Sequence, residues 1–480
     1  MYKCPGCGAA LRFDPEKQII VCDHCGKSLD PKDEALQHEN EAKQQGELGT
    51  QAMDGTYQAY VYMCPNCGAK VLTTDETAVT FCSFCGSNVV LEQKLAQEEK
   101  PDIIIPFKIS KKACESAYRK VLGRALFAPS DMKKSTQIEK FRGIYMPYWV
   151  YDYSINGPVS VRGEKTHRSG DYIIKDNYRV DSDVDGFYGG LSYDASAAFS
   201  DALSEAVAPF NASQGEAFMT TYMSGFYADL TDVNSQVYAV DASKAAARHF
   251  ATEFMAAPGV WQYGVSQSSA EDALIPQRTA TRKGYFPVWF LANRSANGKY
   301  ISYAVVNGET GKVAADLPVS MFKYILAALI ISVPIAFLLW FLIVESGELS
   351  LTPTVLLVAS AIVAFILMIS TSSSINKAYL RQNALDDKGV SAKEGSFKTV
   401  KKAPSKERFR YMVKPVIALI LPILMLVLGS SIVSDVPRYV VAIISLILLI
   451  FSVLDLVLIH NKGTRQKLAQ FNKRGGDFGA

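Results

Sequence analysis

Eight of the nine cysteines fall in four Cys-x-x-Cys knuckles: Cys4/Cys7, Cys22/Cys25, Cys64/Cys67 and Cys82/Cys85. Fourteen residues separate the knuckles within each pair, and the second pair repeats the first at an offset of 60. Tyr2-Lys3-Cys4-Pro5-Gly6-Cys7-Gly8-Ala9 returns as Tyr62-Met63-Cys64-Pro65-Asn66-Cys67-Gly68-Ala69. Two tight thiol turns joined by a short hairpin supply the four thiolates of a tetrahedral Zn²⁺ site, so two structural zinc ions are expected. The glycine closing each knuckle (Gly8, Gly26, Gly68, Gly86) suits a turn that frees N–H groups to face sulfur. No secretory signal is read ahead of Cys4, which places the thiols in a reducing compartment and disfavours disulfides or a redox dithiol. With four cysteines at hand, His24 is expected to be a bystander. Cys114, on an apolar helical stripe with Ala117, Tyr118, Val121 and Leu122, is expected to be a core thiol.

At 480 residues the chain exceeds one ordinary core, and its charge is segregated. The last 163 residues carry 18 Lys/Arg against 9 Asp/Glu, and the first 317 carry 32 against 38. Residues 1–100 hold 9 basic and 15 acidic groups, and each Cys₄ zinc site adds a formal −2. A duplex-binding surface needs clustered Lys/Arg to neutralise phosphates. Nucleic acid is therefore a disfavoured partner, and the ribbons are expected to dock protein. Residues 31–56, rich in Gln, Glu, Lys and Asp, are expected to be a polar linker.

Four stretches are apolar enough to cross a bilayer: Tyr324–Val344, Thr352–Ile369, Pro415–Val433 and Tyr439–Ile459. The segment between the second and third, residues 370–412, has ten Lys/Arg, and the tail after His460 has five, whereas residues 345–351 have none. The positive-inside rule puts the basic loop and both termini in the cytoplasm. Asp455 is expected at the interface, reaching headgroup water or Lys462. Lys398, Lys401, Lys402, Lys406, Arg408 and Arg410 offer a lipid or partner contact as well as a topology signal.

Residues 101–318 are electrically neutral and read as α+β. Ser110 is a plausible N-cap for a helix to about Ala125. Ile144–Ile155 and Val159–Lys165 are expected to form a hairpin about Gly157-Pro158. Ala195–Val207 and Ala242–Met255 are expected to be helices, the second capped by Asp241. Strands at Tyr285–Ala292, Tyr300–Asn307 and Lys312–Ala315 follow, with turns at Asn297-Gly298 and Asn307-Gly308. Gly143-Ile-Tyr-Met-Pro147-Tyr-Trp149 is echoed by Gly284-Tyr-Phe-Pro287-Val-Trp289, which suggests a duplicated unit whose prolines open equivalent sheet edges. No His-Glu-x-x-His, Gly-x-Ser-x-Gly or Walker A pattern occurs. Asp181, Asp183 and Asp185 begin like an EF-hand loop, but Ser192 stands where its last ligand belongs, so a turn of solvated carboxylates is expected.

The fold class expected is thus multidomain. Ribbon 1 spans 1–30 and ribbon 2 spans 57–95; an α+β domain spans 101–318. Four transmembrane helices span 324–460, and a basic tail spans 461–480. The paired Cys-Pro-x-Cys-Gly ribbons, Ile105-Pro106-Phe107, Tyr145-Met-Pro-Tyr-Trp149 and the Val306–Gly311 hairpin, followed by spans, form an order that resembles a bacterial family. These are double zinc-ribbon multi-pass membrane proteins, of the zinc-ribbon superfamily, encoded beside flotillin-like SPFH and phage-shock-type envelope-stress proteins. The resemblance implies a non-enzymatic membrane adaptor that recruits a cytoplasmic scaffold protein, SPFH-like among them. The competing expectations are a transporter or channel component using Asp455, and a membrane-linked nucleic-acid factor. The oligomeric state, homo-oligomer included, is left open by the residues.

Overall fold

In the computed structural model, the structure describes residues 3–33, 55–74, 82–87, 92–196, 199, 201–295, 300–330, 334, 352–394, 403–428 and 436–467. Strands β1 (Leu11–Asp14), β2 (Ile19–Cys22) and β3 (Ser28–Leu29) make a small antiparallel sheet. The remaining strands form one large sheet: β4 (Thr56–Met63), β5 (Lys70–Thr73), β6 (Glu92–Glu99), β7 (Ile103–Ile104), β8 (Arg142–Ser169), β9 (Tyr172–Asp194), β10 (Glu216–Ala217), β11 (Tyr227–Asp229), β12 (Gln277–Arg294), β13 (Tyr300–Asn307), β14 (Val313–Ala315) and β15 (Gln466–Lys467). The helices used below are α1 (Lys111–Arg124), α2 (Asp201–Val207), α3 (Ala239–Ala256), α4 (Gln267–Ala273), α5 (Thr352–Glu394), α6 (Ser405–Leu428) and α7 (Val436–Thr464).

The period-2 alternation of β8 and β12 divides the core into two layers. Ile144, Met146, Tyr148, Phe286, Val288 and Phe290 point to one face, which they share with the second cysteine quartet. Tyr145, Tyr285, Trp289 and Leu291 point to the other. There they meet Cys114, Tyr118 and Leu122 of α1, together with Leu11, Phe13 and Ile20 of the small sheet. Each of these large side chains contributes about 1.5–3 kcal/mol by leaving water. Ser110 caps α1 by accepting from the Ala113 N–H. Cys114 is fully buried, and burial pushes its thiol up, as a core thiol should be. A third cluster packs α3, through Ala242, Ala246 and Phe250, on the distal half of β8.

The echo between the two Pro-Trp segments is a structural duplication. β7, α1, β8 and β9 are matched by β11, α3, β12 and β13, and β8 and β12 pair antiparallel, with Met146 opposite Phe286, Pro147 opposite Tyr285 and Tyr145 opposite Pro287. β7 runs parallel to β12 at Gly284–Tyr285, as β11 runs parallel to β8 at Ile144–Tyr145. Trp149 Nε1 donates to Val233 O and Trp289 Nε1 to Ile109 O, both at 2.8 Å, so each repeat's indole closes the strand-to-helix loop of the other. Lys108 and Ile109 N–H reach Gly308 O; Asp232 and Val233 N–H reach Ala195 O in the same manner.

Several expectations are corrected. The prolines stand at the sheet centre, not at edges. Their carbonyls face gaps between flanking strands, where Ala195 and Gly308 N–H groups reach them, so the missing proline N–H falls where no ladder partner stands. Gly157-Pro158 is no turn. β8 runs on to Ser169 and the hairpin closes at Gly170. Gly157 takes a φ of +116 that suits a residue without a Cβ, and β12 has already left β8 at Ser154, so Pro158 interrupts only a two-stranded arm. Asp181, Asp183 and Asp185 lie on strand β9 opposite Ser160, Pro158 and Asn156 rather than in a turn, because pairing with β8 extends them. The helix over 195–207 is shortened to α2. α3 begins after Tyr238, which leaves Asp241 in its first turn and not at its cap. The turn at Asn297-Gly298 lies outside the described residues, as does most of linker 31–56.

Ribbon 2 is not a separate body. β5 pairs with β11, β4 with β6, and the quartet joins the central core, so no structural boundary follows residue 95. The C-terminal helices α5, α6 and α7 are long and apolar enough to cross a membrane. Of the expected first span, only the start falls within the described residues, as an apolar helix over Met321–Ile330. The basic segment 370–412 is helical at both ends, since α5 continues to Glu394 and α6 starts at Ser405. A helix satisfies its own backbone groups and need not stop where the apolar run stops. In the described part of the tail, α7 reaches Thr464 and β15 pairs with Tyr300–Ile301 of β13.

Candidate metal centres

All four knuckles adopt one backbone solution. In each, the glycine N–H donates to the carbonyl of the first cysteine (Gly8 to Cys4, Gly26 to Cys22, Gly68 to Cys64, Gly86 to Cys82) at 2.7–2.9 Å. The four glycines have φ between +65 and +75, a region costly for any residue with a Cβ. The first cysteine's own N–H reaches Ala9, Lys27, Ala69 or Ser87, and this closes the loop from the other side. The antiparallel β1–β2 pair then brings the first two knuckles together, and the second two knuckles converge as well. In each quartet the sulfurs lie within 4.8 Å of one another.

The donor set fits a tetrahedral thiolate-bound ion. Cys4 and Cys25 Sγ are 3.5 Å apart, as are Cys7 and Cys22; Cys64–Cys85 and Cys67–Cys82 are each 3.8 Å. Metal–sulfur bonds of about 2.3 Å in a tetrahedron place the sulfurs about 3.8 Å apart. Four thiolates would fill the coordination sphere of such an ion and leave no position for a reacting water. The Gly6 N–H beside Cys4 lowers its thiol to about 7, and Cys64 is lowered to about 7 chiefly by hydrogen bonding with Cys67. Its neighbours Cys64 and Cys67 push Cys82 up. Four crowded thiols cannot all ionise without a cation among them.

The two centres differ in surroundings. Cys4 and Cys22 are buried while Cys7 and Cys25 are exposed; all four of the second quartet are buried, none above 2% accessible. Asn66 Nδ2 donates to Cys85 Sγ (3.6 Å) and Ser87 Oγ (2.6 Å), and Arg294 donates to the same hydroxyl at 2.9 Å. Tyr303 OH donates to Phe84 O inside the fourth knuckle, and Phe84 packs on Phe290 with ring centroids 5.5 Å apart. Arg294 and Tyr303 come from β12 and β13, some 200 residues along the chain, and the sequence carries no signal of this. The small sheet docks instead through Phe13, whose N–H reaches Ser224 O and whose ring meets Tyr222 edge-on at 5.3 Å. His24 belongs to neither quartet.

Two further expectations are relocated. Asp455 pairs with Lys414 of α6 at 2.7 Å and not with Lys462, which bonds Glu407 instead. Position 414 lies one helix away at the depth of 455, whereas 462 is two turns off along the same helix. Among the described residues, the two quartets are the groups in which three or more metal-ligating side chains converge, so the Asp181 series does not assemble a site. Asp181 is held low by Ser160 and Arg179.

No family model matches the chain, and no solved structure matches it. Over 331 residues it is 28% identical to the uncharacterized protein YdjG of Bacillus subtilis (strain 168), an alignment covering 67% of this chain and 91% of that protein.

Proposed function

We propose that the chain is a non-enzymatic adaptor of the bacterial inner membrane, with two structural Zn²⁺ ions, that presents its cytoplasmic sheet domain to a scaffold protein of SPFH or flotillin-like type. The observation that carries the reading is the closure of the large sheet from both ends of the sequence. The second quartet is built into one part of it, and β15, reached only after α7, pairs with β13. Such a sheet is a rigid platform fixed to its anchor. Closed Cys₄ centres support a structural metal rather than a catalytic one.

The same closure supports the topology. Asn461 at the end of α7 exchanges hydrogen bonds with both backbone groups of Val319, at 2.6 and 2.9 Å, just before the apolar helix that starts at Met321. The chain thus leaves and re-enters the bilayer on one side, which takes an even number of crossings. Three come from α5, α6 and α7, and Tyr324–Val344 supplies the fourth. The basic residues between the second and third crossings assign that side to the cytoplasm.

The test is affinity capture of the full chain from a native host after mild detergent extraction. Recovery of an SPFH-like or other cytoplasmic scaffold supports the proposal, and repeated recovery of the chain alone overturns it.

A further inference from the structure

The sheet domain as a whole is neutral, yet one surface of it is not. Between Ser116 and Ile138 stand five cations, Arg119, Lys120, Arg124, Lys133 and Lys134, against a single acid, Asp131. All five are exposed. In their midst, immediately after α1, Leu126 is 71% accessible, large for an aliphatic side chain flanked by buried Leu122 and Ala128.

The placement of this surface is fixed by hydrogen bonds. Ser320 N–H donates to Phe127 O and Lys323 Nζ to Ala128 O, both at 2.7 Å, and the rings of Phe127 and Tyr324 meet edge-on at 5.6 Å. Residues 320–324 begin the apolar helix, next to Val319, which Asn461 pins at the end of α7. The Leu126 loop is therefore held at the membrane-facing end of the domain, level with the ends of the spanning helices. Phe322, on the same junction, is 76% accessible.

We propose that residues 116–138 form a lipid-contact surface that rests on anionic headgroups, with Leu126 inserted among the upper acyl carbons. Cations near such a surface are drawn to it, an effect that salt screens, and an apolar anchor beside a basic cluster adds to it. The inference rests on the membrane-spanning reading of α5, α6 and α7. It adds that the soluble domain lies down on the bilayer instead of standing off it.

The experiment uses the full chain in nanodiscs. Failure of the chain to enter discs at all would overturn the spanning reading and is scored separately. In discs, the emission that Leu126→Trp adds over the parent protein is followed with lipids brominated near the headgroup end of their acyl chains. Blue-shifted, bromine-quenched extra emission is expected with anionic lipid. It should be lost at high salt, in discs of zwitterionic lipid, or when Lys120, Arg124, Lys133 and Lys134 are changed together to Gln. Those exposed side chains have no role in the core, so the variant keeps its fold. Unquenched, water-like emission in anionic discs overturns the proposal. Quenching that is insensitive to both lipid charge and the four substitutions overturns the electrostatic basis and leaves apolar insertion alone.

Discussion

At the scale of single residues, cysteines with the same local sequence carry unequal weight. The second quartet is in the main core, so Cys82→Ser leaves a metal-binding group incomplete under Phe84, Tyr303 and Phe290. Structural zinc sites contribute folding free energy directly. We expect Cys82→Ser to destabilise the whole sheet domain by about 3–5 kcal/mol or more, seen as loss of cooperative thermal unfolding in detergent. Cys7→Ser, at the exposed edge of the small sheet, is expected to lose one zinc while the main transition persists. Retention of both zincs and an unchanged transition in Cys82→Ser would contradict this. Zinc release should also differ with pH. Protons compete for thiolates, so metal is held at neutral pH and lost as pH falls, and the exposed quartet should release its ion at higher pH than the buried one. A colorimetric zinc assay across an acid titration reads the two steps. Trp149→Phe and Trp289→Phe each remove one cross-repeat hydrogen bond, and each is expected to cost about 1 kcal/mol in denaturant unfolding. The two costs should be alike, because the repeats place the indoles equivalently.

At the scale of elements, a helix is more legible in a sequence than a strand. The Ser110 cap and the stripe through Cys114, Tyr118 and Leu122 identify α1 because a helix is specified by neighbours three and four residues apart. Strands are finished by partners far away. β8 carries a Gly-Pro pair that signals a turn locally, yet pairing with β9 draws 28 residues into one strand. The expected helix over 195–207 shrank because Ala195 is occupied as a hydrogen-bond partner of Pro147 in its own repeat and of Asp232 and Val233 in the other. Ending the chain after Thr464 removes β15 and uncovers part of β13. Hydrogen exchange should then quicken at Ile301, while Tyr300, whose N–H donates to Ser295 Oγ, and Ala304–Val306, paired with β14, stay protected.

At the scale of the whole molecule, the spanning helices and the sheet domain are one assembly. Asn461 on Val319, His460 on Leu317 O and β15 on β13 all join the end of α7 to the domain that precedes the first apolar helix. Reporter fusions ahead of residue 1 and after residue 480 test the even number of crossings. The same side is expected for both, and opposite sides would require an odd number. Within the bundle, Asp455 and Lys414 neutralise each other. Replacing Asp455 by Asn leaves Lys414 unpaired, so loss of bundle stability is expected, without a flux phenotype in proteoliposomes.

Thiol spacing, capping glycines and long apolar runs are local chemistry, so the sequence by itself determined the two Cys₄ quartets, the membrane-compatible helices and the α1 stripe. Which quartet is buried, where the duplicated segments meet, which lysine answers Asp455 and how the last strand returns to the first domain were decided by the tertiary structure alone. Each depends on side chains tens to hundreds of residues apart being brought within a few ångströms, and no periodicity along the chain encodes that distance.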